Sequence, residues 1–289
     1  MNYKKVNGLD IKVPKGSAFN MESDPMLPKL HQLSLFVAKR GSGKSVAISN
    51  LVRMFGFDRV FIISPTIHSN KQMWNGLPIS LGDSYDDPDE AGIITEIINE
   101  IDAERDDLVR YREEMKRWKE KQRNKVEPSK AFLQMFGDQP LEEKPEHRWN
   151  GRIPRLALIV DDAQSTKLFR DRKFLNAVTR HRHLGQLPEG GAIGLSMFVA
   201  VQNYSSTSGG VPRTLRNNAT TLAIFKMKDN KELDQIYEEV AGEVDRETFE
   251  DVYAEATLEP FGFLFIDFHK KDNHPSMFRK RFNEFLLPN

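Results

Sequence analysis

The chain has 289 residues, with 42 lysines and arginines against 42 aspartates and glutamates, so its formal net charge is zero. It contains no cysteine, which excludes disulfide bonds and zinc-thiolate sites. No run approaches the roughly 20 apolar residues that a membrane span needs, and the first residues lack the apolar stretch of a secretion signal, so we expect a cytosolic protein.

Residues 33–55, LSLFVAKRGSGKSVAISNLVRMF, predict a β-strand, a turn and an α-helix in succession. The turn at residues 38–45, AKRGSGKS, fits the phosphate-binding P-loop with alanine in place of the first glycine. A glycine-rich turn with an incidental lysine is the alternative. The strand before it and the helix after it are the context that the P-loop motif requires.

The residue types in this turn suit a triphosphate. Gly41 and Gly43 allow the backbone to approach phosphate oxygens and to adopt positive φ, so that N–H groups point inward at the start of a helix. Lys44 would reach the β- and γ-phosphates of ATP, and Ser45 would offer its hydroxyl to Mg²⁺. The predicted nucleotide-binding residues are Ala38, Lys39, Arg40, Gly41, Ser42, Gly43, Lys44, Ser45 and Val46.

A short apolar strand at residues 59–64 is followed by a long polar segment at residues 101–126. Opposite charges recur in that segment at i,i+3 and i,i+4 spacing, which predicts a solvated helix. With the proline-containing stretch after it, the segment forms a predicted charged helical insertion at residues 101–152. The insertion is either inert or a docking arm for a partner or neighbouring subunit.

A second chemical motif lies at residues 155–162, RLALIVDD. Its apolar run predicts a parallel strand covered on both faces, and two carboxylates stand at the C-terminal end, where open α/β sheets bind ligands. Asp161 would orient Mg²⁺ with its water shell, and Asp162 is the candidate base for the attacking water. Asp162 could instead be only the N-cap of the following segment.

Basic residues cluster directly after this motif and stand out in a chain of zero net charge. We expect this basic cluster to contact nucleic-acid phosphates, although a charge run can equally be a solvated face. His181 and His183 lie in the same stretch, but no further acids or histidines stand at ligand spacing, so a metal site there is not expected. The basic cluster consists of Lys167, Arg170, Arg172, Lys173, Arg180 and Arg182.

Three further strands are predicted at residues 196–202, 221–226 and 261–268. Strands that alternate with helical stretches predict a doubly wound α/β fold with a mostly parallel sheet. Gln202 ends the first of these strands and could sense the γ-phosphate or position water if that strand lies beside the P-loop strand; otherwise it is an ordinary strand-end amide. Near the C-terminus, an apolar stripe at helical spacing predicts a docked helix, formed by Phe278, Phe282, Phe285 and Leu286.

Five motifs together resemble the FtsK–HerA superfamily of DNA-pumping P-loop ATPases: AKRGSGKS, LALIVDD, TRHRH, FVAVQNY and VPRTLRNNATTLAIFK. The sequence is most like the genome-packaging ATPases of large double-stranded DNA viruses, the poxvirus-type group that includes virophages and related elements. The resemblance spans residues 33–268. It implies a RecA/ASCE-like P-loop domain at residues 33–289, preceded by an extended N-terminal segment at residues 1–32.

The resemblance also implies roles for single residues. Gln202 takes the place of the superfamily's sensor on the strand next to the P-loop strand. Arg216 takes the place of an arginine that reaches a neighbouring subunit's nucleotide, where its fork can neutralise charge on the γ-phosphoryl oxygens. Arg213 competes for that role, both arginines could instead lie on a solvated helix face, and Arg40 is a candidate for an arginine that acts within its own subunit.

The function that the resemblance implies is an ATP-hydrolysing motor that moves double-stranded DNA into a viral capsid. With it come ATP and Mg²⁺ as cofactors, a homo-oligomeric ring (pentamer or hexamer), a capsid protein at a vertex as docking partner, and a location in the virion or at the viral assembly site. The rival functions are a DNA translocase for segregation or transfer, and a nucleotide-regulated structural or interaction protein with vestigial hydrolysis. The predicted catalytic residues are Lys44, Asp162, Gln202, Arg216 and Arg213.

Overall fold

The computed structural model describes residues 23–123, 143–204, 210–227, 229–242 and 244–288. The N-terminal segment predicted at residues 1–32 is therefore described only from residue 23. Most of the stretch predicted to return the chain after the long polar helix lies outside the described residues. Within the described ranges, no helix is both long and apolar enough to cross a membrane.

In the described part of the chain, the strands form one sheet. They are β1 (Leu33–Val37), β2 (Arg59–Ile63), β3 (Ser84–Tyr85), β4 (Leu156–Val160), β5 (Ser196–Val201), β6 (Thr221–Phe225), β7 (Phe263–Asp267), β8 (Phe278–Lys280) and β9 (Glu284–Phe285). Their order in the sheet is β3-β2-β4-β5-β1-β6-β7-β8-β9. The pairs from β3 to β6 are parallel, and β7, β8 and β9 add an antiparallel edge.

Helices cover both faces of the sheet, which confirms the predicted doubly wound α/β fold. They are α1 (Lys44–Phe55), α2 (Lys71–Trp74), α3 (Ile93–Arg123), α4 (Arg172–Arg180), α5 (Arg213–Asn218), α6 (Asn230–Val240) and α7 (Arg246–Ala256). On one face α1 and α2 bury side chains such as Leu51 and Trp74, and on the other α3 to α7 bury side chains such as Ile97 and Phe174. The central strands are buried along their whole length because both of their faces are covered, and most of their residues are apolar.

The strand order brings the two predicted motifs to one edge of the sheet. β5 lies between β1, which leads into the P-loop, and β4, which ends at the two aspartates. Because these three strands are parallel, their C-terminal ends meet at the same edge. One strand, β5, thus separates the P-loop strand from the acidic strand.

The long polar segment is helical, as predicted, but its helix begins earlier, at Ile93, and its first half belongs to the core. Ile97, Ile101 and Leu108 are buried there. Glu104 is also buried and accepts a hydrogen bond from Arg59 Nη1 at 3.2 Å. The second half of α3 is largely exposed, so only that half has the solvated character that its charges predict.

The C-terminal apolar stripe does not form a helix, so that prediction is wrong. Phe278 lies in β8, which pairs antiparallel with β7, and Phe285 lies in β9. Between them Arg281 has φ +55°, which makes the turn of a hairpin. The ring of Phe282 packs at 4.9 Å from the ring of Phe263, so the stripe covers the sheet edge through a tight turn.

Candidate functional site

The P-loop lies between the end of β1 and the start of α1, at the edge where the parallel strands end. Gly41 has φ +79° and Gly43 has φ +88°, both in the left-handed region that favours glycine. Lys44 and Ser45 form the first turn of α1, so the backbone N–H groups of this turn have no partner earlier in the helix and are available to an anion. Arg40 and Val46 are exposed beside this turn.

Ser45 and Asp161, the two residues predicted to hold Mg²⁺, are joined by a hydrogen bond. Ser45 Oγ donates to Asp161 Oδ2 at 2.7 Å. The Asp161 side chain is buried, and among the described residues its Oδ1 has no hydrogen-bond partner. Burial raises the pKa of this carboxyl above its usual value, and the nearby Asp162 charge raises it further.

An unpartnered buried carboxylate oxygen beside a hydroxyl fits Mg²⁺. This cation takes oxygen ligands and is often held by one or two protein groups together with phosphates and waters. In the described part of the chain, no group of three or more histidines, cysteines or acids could hold a metal by itself. Ser45 and Asp161 would supply two oxygen ligands to such a cation, and phosphates and waters would supply the others.

Lys44 and Asp162 form an ion pair across the crevice, with Lys44 Nζ at 2.7 Å from Asp162 Oδ1. The Lys44 side chain is buried and that of Asp162 is 30% exposed, so the carboxylate faces the solvent side of the pair. Asp162 has φ +54°, an unusual conformation for a residue other than glycine. Such backbone strain turns its side chain toward the P-loop and is typical of functional sites.

Gln202 directly follows β5, and β5 lies beside the P-loop strand, which is the condition set for its predicted role. Its side chain is exposed at the edge where the ligand would bind. The buried side chain of Gln164 fixes the backbone here: its Oε1 accepts hydrogen bonds from the N–H groups of Gln202 at 2.6 Å and of Asn203 at 3.1 Å. Gln164 thereby ties the loop after β4 to the end of β5.

The two candidate interface arginines differ in their surroundings. Arg216 Nη1 donates to Glu239 Oε1 at 2.6 Å, and its guanidinium lies over the ring of Tyr204 at 5.5 Å. The Tyr204 hydroxyl donates to the same carboxylate. Arg213 begins α5 and is exposed. Arg216 is thus held within its own subunit, whereas Arg213 is accessible to another.

The members of the basic cluster are all exposed, in a stretch of sequence that includes α4. His181, at the end of that stretch, is buried instead, and its two ring nitrogens lie 2.7 Å from the carbonyl oxygen of Val178 and 2.8 Å from that of His31. Both ring nitrogens thus lie within hydrogen-bond distance of backbone carbonyl oxygens.

Two residues of the site were not predicted from the sequence. Gln164 stands two positions after Asp162 and belongs to none of the sequence motifs. Thr66 follows β2, and its Oγ1 donates to Asp162 Oδ2 at 3.5 Å. A polar residue just beyond each parallel strand is the signal that could have found both, because those strand ends converge at one edge.

No protein-family model and no curated protein matches the chain. Among solved structures, it is similar to the genome packaging NTPase B204 from Sulfolobus turreted icosahedral virus 2 in complex with sulfate, at 17% identity and a TM-score of 0.44 over 82% of this chain and 91% of that chain. The same protein in complex with AMPPCP matches at 15% identity and a TM-score of 0.41, over 82% of this chain and 92% of that chain.

A further similar structure is that of the pCW3 conjugation coupling protein TcpA, in monomer form with ATPγS. It matches at 14% identity and a TM-score of 0.39, over 82% of this chain and 58% of that chain. At these identities and TM-scores, the chemistry of this chain has to be inferred from its own residues.

Proposed function

We propose that this chain is an ATP-hydrolysing motor that moves double-stranded DNA into a viral capsid. The observation that carries the ATPase part is the pair of contacts joining consecutive P-loop residues to consecutive acids: Lys44 to Asp162, and Ser45 to Asp161, both at 2.7 Å. A phosphate-binding lysine, a hydroxyl and two carboxylates in one crevice are the parts that hydrolysis of a nucleoside triphosphate needs.

In the proposed mechanism, the P-loop amides and Lys44 hold the β- and γ-phosphates. Ser45 and Asp161 would hold Mg²⁺, which when bound neutralises charge on the phosphate oxygens. A triphosphate competes with Asp162 for Lys44, so its arrival releases the Asp162 carboxylate. The freed carboxylate then accepts a proton from the attacking water, and Gln202 positions that water.

An arginine from a neighbouring subunit completes the proposed site. Arg213 is better placed than Arg216 to leave its own subunit, because Arg216 is engaged with Glu239 and Tyr204. A guanidinium delivered to the γ-phosphate is worth about 10³–10⁵ in rate in enzymes of this chemistry. This step requires a ring or another assembly in which α5 of one subunit faces the P-loop of the next.

The proposed DNA contact is the basic cluster. Its side chains are exposed, and in a chain of zero net charge they supply a local positive surface. The packaging role follows from the resemblance of the sequence motifs. The rival role in segregation or transfer uses the same ATPase and DNA contacts. The third candidate, a structural or interaction protein with vestigial hydrolysis, would bind the nucleotide without hydrolysing it at a significant rate.

The experiment that tests the ATPase is steady-state hydrolysis with Mg²⁺. Lys44→Ala should abolish turnover, while Lys119→Ala, on the exposed half of α3, removes an equal charge far from the P-loop and should leave turnover unchanged. Retained turnover in Lys44→Ala would refute the site. Nucleotide binding without turnover in the wild-type protein would favour the interaction protein.

A further inference from the structure

An exposed aromatic ring lies against the P-loop on the side away from the acids. Phe261 is 67% exposed although it is a large apolar residue, and Leu258 beside it is 70% exposed. A Cβ built on Gly43 would lie 3.3 Å from Cδ1 of Phe261, so the ring contacts the P-loop itself. Exposed apolar side chains that gather beside a binding loop call for a ligand that covers them.

The turn that carries Phe261 is fixed from several directions. Phe261 has φ +61°, a strained conformation for an aromatic residue. The carboxylate of Glu259, two residues before Phe261, forms ion pairs with Lys280 Nζ at 3.2 Å and with Arg281 Nη2 at 3.1 Å. The N–H of Gly262 donates to the carbonyl oxygen of Glu259 at 3.0 Å, and a side chain on Gly262 would lie 2.5 Å from a carbonyl oxygen of α7. The ring is therefore presented by a rigid turn.

The order of the strands indicates which part of a nucleotide would lie on this side of the P-loop. The acids follow β4 and Gln202 follows β5, both on one side of β1. Phe261 precedes β7, which lies on the other side of β1 beyond β6, and Phe263 pairs with Phe225 at the end of β6. A triphosphate with its γ-phosphate at the acids must therefore extend its nucleoside toward β6 and β7.

A groove of about 310 Å³ lies at that position, within the size range of ligand pockets, about 300–1,000 Å³. Two of its polar side chains are engaged by other groups: Thr257 Oγ1 donates to the carbonyl oxygen of Tyr253 at 2.8 Å, and Glu259 is ion-paired. Leu258, Pro260 and Phe261 give the groove an apolar face against which a flat ring can pack. Its lining includes Gly41, Ser42, Lys226, Leu258, Pro260 and Phe261.

We propose that Phe261 is the stacking platform for the base of the bound nucleoside triphosphate, with Leu258 and Pro260 at the edges of the base. This inference rests on the proposed nucleotide site and adds the residues that recognise the nucleoside. The strained turn pre-organises the ring, so that binding does not have to order it. Stacking uses the face of a base and tolerates different bases.

The experiment compares two probes by calorimetry in the presence of Mg²⁺: AMPPCP, which carries a base, and inorganic tripolyphosphate, which does not. Phe261→Ala should weaken AMPPCP binding by about 5- to 150-fold and leave tripolyphosphate binding unchanged. Phe261→Tyr should restore AMPPCP affinity. The matched control is Leu81→Ala, which truncates an apolar side chain that is 98% exposed outside the groove.

The outcomes separate this inference from the proposed function. Equal weakening of both probes would mean that Phe261 only supports the P-loop, and no weakening of AMPPCP would mean that the base lies elsewhere; either result overturns the inference while the nucleotide site stands. If the wild-type protein bound neither probe, the proposed function itself would fail. A Phe261→Trp variant adds a direct readout: its indole fluorescence should be quenched by AMPPCP and not by tripolyphosphate, whereas equal responses would contradict stacking.

Discussion

Lys44 and Asp162, which are 118 residues apart in the chain, form an ion pair with 2.7 Å between Nζ and Oδ1. The lysine that would hold the phosphates is therefore ion-paired with the carboxylate that would activate the water. A triphosphate brings more negative charge to Lys44 than one carboxylate does, so it can displace Asp162. Nucleotide binding and activation of the base are thereby coupled through a single ammonium group.

We predict that Asp162→Asn separates these two steps. Without the competing carboxylate charge, Lys44 is freer to bind phosphate, so affinity for ATP should be unchanged or higher. Loss of the general base should lower hydrolysis by about 10²–10⁴-fold. Calorimetric titration and steady-state turnover measure the two effects, and weaker ATP binding in Asp162→Asn would contradict the competition.

Asp161→Asn should abolish Mg²⁺-dependent hydrolysis and yet stabilise the folded chain at neutral pH. Burial raises the pKa of Asp161, so ionising it costs more in the folded protein than in the unfolded chain. The cost is absent in acid, where the carboxyl is protonated in both states, and is fully present above the raised pKa. The stability gain of Asp161→Asn, measured by denaturant unfolding, should therefore grow as pH rises; a gain that is largest in acid would contradict this account.

The interface arginine can be identified by mixing inactive variants. Arg213→Ala and Asp162→Asn should each lose hydrolysis, and mixed assemblies should recover part of it, because an intact acid site can then receive Arg213 from its neighbour. Arg216→Ala serves as the matched comparison. Recovery with Arg216→Ala and not with Arg213→Ala would reverse the assignment, and no recovery with either would argue against shared sites.

His31 should make the fold sensitive to mild acid. Burial, together with the nearby His181, Arg182 and His183, lowers the pKa of His31 from 6.5 to about 4. The unfolded chain therefore binds a proton more readily than the folded one, and stability falls as pH decreases from 6.5 toward 4, by about 3 kcal/mol in total. His31 has φ +57°, which asparagine tolerates, so His31→Asn is the variant of choice. The free energy of unfolding is measured against pH for the wild-type protein and for His31→Asn. If it fell by the same amount between pH 6.5 and 4 in both proteins, His31 would not be the group responsible.

The central strands could be predicted from the sequence because both of their faces are covered. β4 is a continuous apolar run, β5 is apolar apart from its first residue, Ser196, and the observed bounds of both differ from the predicted ones only at the ends. The P-loop was equally recognisable, because Gly41 and Gly43 are needed for backbone conformations that other residues rarely adopt.

The remaining features depend on tertiary contacts that the pattern of residues along the sequence does not reveal. Phe278 and Phe282 are four residues apart, which suits a helix, but the positive φ of Arg281 turns the chain and places both beside β7. Likewise, Gln164 has no motif of its own. Its role depends on the distance between two strand ends that only the folded sheet brings together.

The measurement that tests the central claim most directly is the rate of ATP hydrolysis against the concentration of double-stranded DNA, with oligomeric mass determined on the same samples. We predict that the rate rises with DNA and saturates, that the rise occurs in multimers, and that it weakens as salt increases, since phosphate contacts release counterions. A hydrolysis rate that does not change with DNA concentration in assembled multimers would contradict the proposal of a DNA-translocating motor. An absence of hydrolysis altogether would contradict it as well.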